Sequence, residues 1–113
     1  MAAAGAAAAL FGCASDTDKF AERLARQELA SQVLVVALSS ETCEFARRLA
    51  LREGPSAAEE RCKAAADARE ELTRLEKIYL AACGKCATAE RCRSEVRRVE
   101  DGGGSSGRGT ACP

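Results

Sequence analysis

The stretch Gly54-Pro55-Ser56-Ala57-Ala58-Glu59 contains the clearest helix boundary in the chain. Gly54 suits the end of a helix, and Pro55 disfavours helical backbone at the residue before it. Ser56 and Glu59 have the spacing of a capping box, in which each side chain accepts a hydrogen bond from the other residue's backbone N–H. The stretch therefore predicts a turn between two helices.

The residues before this turn have the pattern of a helix that begins near Asp18. Ser15-Asp16-Thr17-Asp18 supplies N-cap side chains and negative charge at the helix start. The β-branched patch Val33–Val36 is predicted to be helical, because both flanks are helical in pattern and no second strand is available for pairing. Ser39-Ser40 either caps a new helix or bends the same one. Four large apolar side chains fall near one face: Phe20, Leu24, Leu34 and Leu38.

The residues after the turn predict a long helix, here called α2, from Ser56 to about Ala82. Its apolar residues recur in alternating steps of three and four, which is the heptad spacing of a coiled coil. We call this set the α2 seam, and its members are Ala65, Ala68, Leu72, Leu75, Tyr79 and Ala82. The seam packs either within the chain or against a protein partner, and its short length leaves both alternatives open.

The predicted fold is all-α, a small open array or hairpin of three to four helices with a coiled-coil-like long helix and flexible termini. Breaks are expected near Ser39–Ser40, at Gly54–Pro55 and over 84–87, after which Thr88 caps a last helix that reaches about Glu100. Residues 1–15 are an Ala-rich N-terminal segment, 16–100 the helical domain, and 101–113 a flexible Gly/Ser tail.

The composition indicates one domain with a weak core. Hydrophobic residues make up 47% of the 113 residues, but 25 of them are Ala, whose burial gains little. The 17 basic and 17 acidic residues cancel, which argues against a dedicated nucleic-acid binder. No stretch is long and apolar enough to predict a transmembrane helix.

The seven cysteines are the most unusual feature of the sequence. Cys83-x-x-Cys86 resembles one zinc knuckle, but the chain has no His and no second such pair, so we predict no metal site. A thioredoxin-type redox role is rejected because this motif follows a helix instead of opening one. Two interpretations remain. The cysteines form disulfides between helices, or they are free thiols that pack as small hydrophobic side chains. The candidate positions are Cys43, Cys62, Cys83, Cys86 and Cys92.

A bridge between Cys43 and Cys62 depends on the register of the predicted hairpin. If the turn is at Gly54–Pro55, Cys43 and Cys62 do not lie directly opposite each other. They are displaced along the helix axis by about 6 Å. That is near the limit for a disulfide, so the bridge needs some adjustment of the backbone.

The compartment remains open at this point. An odd number of cysteines without a convincing export signal favours a reducing cytoplasm. Leu10-Phe11-Gly12-Cys13-Ala14-Ser15 is similar to a bacterial lipoprotein cleavage box but lacks the preceding positive charge. The cysteines also resemble those of the stapled helical hairpins of the mitochondrial intermembrane space. The regular nine-residue spacing of those proteins is absent, so no family is assigned.

The sequence predicts a non-enzymatic protein without a cofactor. The preferred hypothesis is a cytoplasmic helical adaptor or small accessory subunit that offers the α2 seam to a protein partner or to a second copy. The alternative is a disulfide-stapled helical protein of an oxidising compartment, either the mitochondrial intermembrane space or the bacterial envelope.

Overall fold

The computed structural model describes residues 15–102 and Cys112, which contain three α-helices and no strand. Helix α1 spans Asp16–Glu53, α2 spans Pro55–Cys83 and α3 spans Ala89–Glu100. The all-α prediction is confirmed. The Ala-rich segment before Ser15, the region similar to a lipoprotein box and most of the Gly/Ser tail lie outside the described residues. None of the described helices is long and apolar enough to span a membrane.

Local signals fix the ends of the helices. The Ser15 hydroxyl accepts a hydrogen bond from the Asp18 N–H at 3.2 Å, and the Thr88 hydroxyl accepts one from the Arg91 N–H at 3.2 Å. Gly54 separates α1 from α2 with a φ of 96°, a backbone conformation that favours glycine. The predicted turn is therefore confirmed.

Helix α2 begins one residue earlier than the capping box predicts. Its first residue is Pro55, so Ser56 lies inside the first turn and is not the cap. Proline suits this position because its fixed φ is helical and its missing N–H would have no partner within the helix. The capping-box prediction at Ser56 was wrong for this reason.

Helix α1 continues through Ser39 and Ser40, where the sequence allowed a break. A serine costs only about 0.5 kcal/mol in a helix, which tertiary packing readily outweighs. Both serines are half-buried, and the Arg69 guanidinium of α2 donates a 3.4 Å hydrogen bond to the Ser40 hydroxyl. Packing against α2 thus keeps the helix continuous.

The chain forms two compact units. One unit, Ser31–Arg74, is an antiparallel hairpin of the second part of α1 and the first part of α2. The Gln32 side-chain amide donates a 2.9 Å hydrogen bond to the Ala68 carbonyl across this hairpin. The other unit combines the described residues up to Ala30 with those from Leu75 onward, so the start of α1 meets the end of α2 and also meets α3.

Small side chains dominate the buried positions, which permits close approach of the helices. The face of α1 that carries Phe20, Leu24, Leu34 and Leu38 is not the buried one, since all four side chains are exposed. The buried hydrophobic residues of the helices are Ala25, Leu29, Cys43, Ala46, Ala58, Ala65, Ala68, Leu75, Tyr79, Cys83, Cys92, Val96 and Val99.

Candidate functional site

A disulfide between Cys43 and Cys62 joins the two helices of the hairpin unit. The Cα atoms are 4.6 Å apart, within the usual range for a disulfide. Cys43 is buried on α1, and Cys62 is half-buried on α2. The two helices pair in a register that opposes these cysteines directly, so the 6 Å offset expected from the position of the turn is not observed.

Two further disulfides hold the end of α2. Cys83, the last residue of α2, is bonded to Cys92 of α3 with a Cα separation of 5.9 Å. Cys86 is bonded to Cys112 with a Cα separation of 5.3 Å. Cys83 and Cys86 therefore have different partners. The Cys86 N–H donates a hydrogen bond to the Cys83 carbonyl at 3.0 Å, which keeps the connecting turn tight.

All five cysteines singled out from the sequence lie in disulfides. The sequence reasoning missed the sixth, Cys112, which is buried and ties a residue of the predicted flexible tail to the segment between α2 and α3. The available signal was that Cys86 needs a sixth cysteine as its partner. That partner lies 26 residues away across a Gly-rich stretch. The seventh cysteine, Cys13, lies outside the described residues.

A buried polar cluster links all three helices in the unit that contains α3. The Tyr79 hydroxyl of α2 donates a 2.6 Å hydrogen bond to the Glu22 carboxylate of α1. The Arg26 guanidinium lies 3.9 Å from Glu22 and 3.5 Å from Glu95 of α3. Arg98 then donates a 2.5 Å hydrogen bond to Glu95 at the surface. The four-residue spacing of Glu22 and Arg26 is that of an ion pair on one helix face, but it does not indicate that both residues are buried.

Burial raises the pKa of the Tyr79 phenol well above its ordinary value of 10.0. The hydrogen bond to Glu22 and the negative charges of Glu22 and Glu95 act in the same direction, because a tyrosinate would be repelled by both carboxylates. Tyr79 is therefore a neutral hydrogen-bond donor at physiological pH. The cluster connects the three helices of this unit.

A pair of carboxyl groups makes a second contact between α2 and α3. The pKa of Glu100 is raised to about 6, first by partial burial and then by a hydrogen bond with Glu76 and the negative charges of Glu76 and Asp101. The shared proton is retained below this pH, and repulsion between the carboxylates grows above it.

Among the described residues, no group of three or more His, Cys, Asp or Glu side chains could hold a metal ion.

The α2 seam faces inward along much of its length. Ala65, Ala68, Leu75 and Tyr79 are buried, and Leu72 and Ala82 are half-buried. The structure thus shows intramolecular packing at the seam. Binding of a protein partner there stays a prediction.

Comparison with protein-family models, curated proteins and solved structures finds no match to this chain. Its function must be inferred from the contacts described above.

Proposed function

We propose that this chain is a non-enzymatic helical protein of an oxidising compartment, in which disulfides replace a large hydrophobic core. The observation that carries the proposal is the pairing of six cysteines in three disulfides. Disulfides persist outside the reducing cytosol, in places such as the mitochondrial intermembrane space or the bacterial envelope.

The energetics of the core support the same proposal. The buried side chains are mostly Ala and Cys, which contribute little transfer free energy compared with Leu or Phe. A native disulfide in a small domain typically contributes about 2–5 kcal/mol. Three of them are enough to stabilise helices whose apolar contacts are few.

A non-enzymatic role is supported by the chemistry of the buried ionisable groups. Glu22, Arg26 and Tyr79 contact one another and Glu95, so their polar atoms are used to join helices. The role we propose is that of a small accessory subunit, with a rigid helical surface available to other proteins.

The test is a count of free thiols on protein taken from its own cells, with an alkylating agent present at lysis. We expect one free thiol per chain under denaturing, non-reducing conditions, because six of the seven cysteines are paired. Adding a reductant should lower the melting temperature strongly, since each disulfide contributes about 2–5 kcal/mol.

A Cys13→Ser variant is the matched control. It should have no free thiol and an unchanged melting temperature, because Cys13 is outside the three disulfides. Seven free thiols in the cellular protein would contradict the proposal and support the cytoplasmic adaptor that offers the α2 seam.

A further inference from the structure

Helix α1 carries an exposed apolar face with heptad spacing. Within the hairpin unit, the steps of three and four join Val35, Leu38, Thr42, Phe45 and Leu49, which we call the exposed heptad face. Leu38 is 64% exposed and Phe45 is 61% exposed. Thr42 and Leu49 are half-buried, so the exposed apolar surface is centred on Leu38 and Phe45. Large exposed apolar patches mark interaction sites.

The exposed heptad face lies beside α2 without being covered by it. Thr42, Phe45 and Leu49 line a groove together with Arg61 of α2, and Leu38 lines its continuation. Side chains with heptad spacing insert as knobs into the holes between side chains of another helix. That helix is not α2, because α2 packs on the neighbouring face of α1 that contains Cys43 and Ala46. A further helix is the occupant that this pattern fits.

Charged residues next to the exposed heptad face indicate which helix packs against it. Glu41 and Arg48 are exposed and lie seven residues apart on the side of the face away from α2. In an antiparallel pair of α1 helices, these flanking positions oppose each other, so Glu41 faces Arg48 of the second copy and Arg48 faces its Glu41. In a parallel pair, Glu41 would instead face Ala46.

We propose that two copies of this chain associate antiparallel through their exposed heptad faces. In this register Leu38 packs against Leu49 of the second copy, and Thr42 against its Phe45, so the two most exposed apolar side chains of the face are covered. The small residues Ser39 and Ala46 flank the face on the α2 side and permit close approach. The two symmetric Glu41–Arg48 pairs set the direction and the register.

The first test is sedimentation of the disulfide-bonded Cys13→Ser protein, which excludes dimers linked through that cysteine. We expect the mass to rise from 11.8 kDa towards twice that value as the concentration increases. Leu38→Asp combined with Phe45→Asp should abolish the dimer and leave the helical circular dichroism unchanged, because both side chains are exposed. Phe20→Asp, an equally exposed Phe on the same helix, should leave the dimer intact.

The second test uses charge reversal and does not depend on the apolar variants folding. Glu41→Arg alone and Arg48→Glu alone should each weaken self-association about ten-fold, because two ion pairs become repulsive contacts. Mixing the two variants should restore wild-type affinity, since each pair is then complementary in the heterodimer.

Three outcomes would overturn the proposal. They are a monomer at every concentration, a dimer that survives the Leu38→Asp and Phe45→Asp substitutions, and a mixture of the charge variants that associates no better than either alone. None of these bears on the thiol count, so the proposed function is tested separately.

Discussion

The contact between Tyr79 and Glu22 shows how one residue can couple several helices. The phenol comes from α2, its acceptor from α1, and Arg26 extends the contact to Glu95 on α3. Burying a carboxylate costs free energy unless it is hydrogen-bonded or paired. Glu22 therefore needs the hydrogen bond that Tyr79 donates. The chain contains one Tyr and no Trp, and therefore its tyrosine absorbance reports this contact alone.

We expect the absorbance titration of the folded protein to show no tyrosinate near pH 10. The folded pKa of Tyr79 lies above the unfolded value of 10.0, so the folded chain holds the phenolic proton more tightly. This contribution to stability is complete below pH 10 and decreases as the pH rises beyond it. Tyrosinate should therefore appear only together with loss of helical circular dichroism, whereas the reduced chain in urea should titrate near 10.

Glu22→Gln is the matched control for this titration. It keeps the size of the side chain and an acceptor oxygen but removes the negative charge, so the pKa of Tyr79 should fall while remaining above 10.0. A wild-type transition near pH 10 with unchanged helicity would contradict the buried contact.

The sequence predicted those features of single residues that depend on near neighbours. Ser15 and Thr88 cap helices as expected, because a cap involves residues three positions apart. Burial of the Glu22–Arg26 pair was not predictable, since it depends on Tyr79 and Glu95, which are distant in the sequence. The pairing of Cys86 with Cys112 was missed for the same reason.

At the scale of the helices, Gly54 decides where α1 ends and α2 begins. Its φ of 96° is rarely adopted by residues with a side chain, yet a Cβ added there would meet no atom within 4 Å. The requirement for glycine is therefore conformational and not steric. The turn at Gly54–Pro55 was predictable because this requirement is local, whereas continuity through Ser39 and Ser40 depends on packing against α2.

We expect Gly54→Ala to lower the free energy of unfolding by about 1–2 kcal/mol, the usual cost of left-handed backbone for a residue with a Cβ. Gly54→Asn should cost less, because Asn tolerates positive φ, and Gly54→Val should cost more. Urea unfolding with the disulfides intact would measure the series. Equal losses for all three variants would indicate that the backbone there relaxes to negative φ.

In the molecule as a whole, few of the buried side chains are large. Tyr79 and Leu29 are the largest fully buried residues, and Leu75 is buried beside smaller ones. The sequence identified Leu72, Leu75 and Tyr79 as a group but could not decide between a core and a docking surface. Their burial within the chain argues that they contribute mainly to folding.

We expect Leu72→Asp combined with Leu75→Asp to collapse the helical circular dichroism signal. Leu75 is 8% exposed, and a charge there would be buried without a partner, at a cost above about 3 kcal/mol. Ile78→Asp is the control on the same helix, and it should be tolerated because Ile78 is 42% exposed. A double variant that stays helical but loses a binding partner would show instead that the α2 seam is a docking surface.

The Cys43–Cys62 disulfide has a consequence for proteolysis. Arg52 is exposed in the last turn of α1 next to Gly54, and a protease that cleaves after basic residues would cut the chain there. Of the three disulfides, Cys43–Cys62 alone joins the two sides of that cut, because the other two lie wholly in the later part. A nicked molecule would therefore survive as two covalently linked chains and would separate into fragments only after reduction.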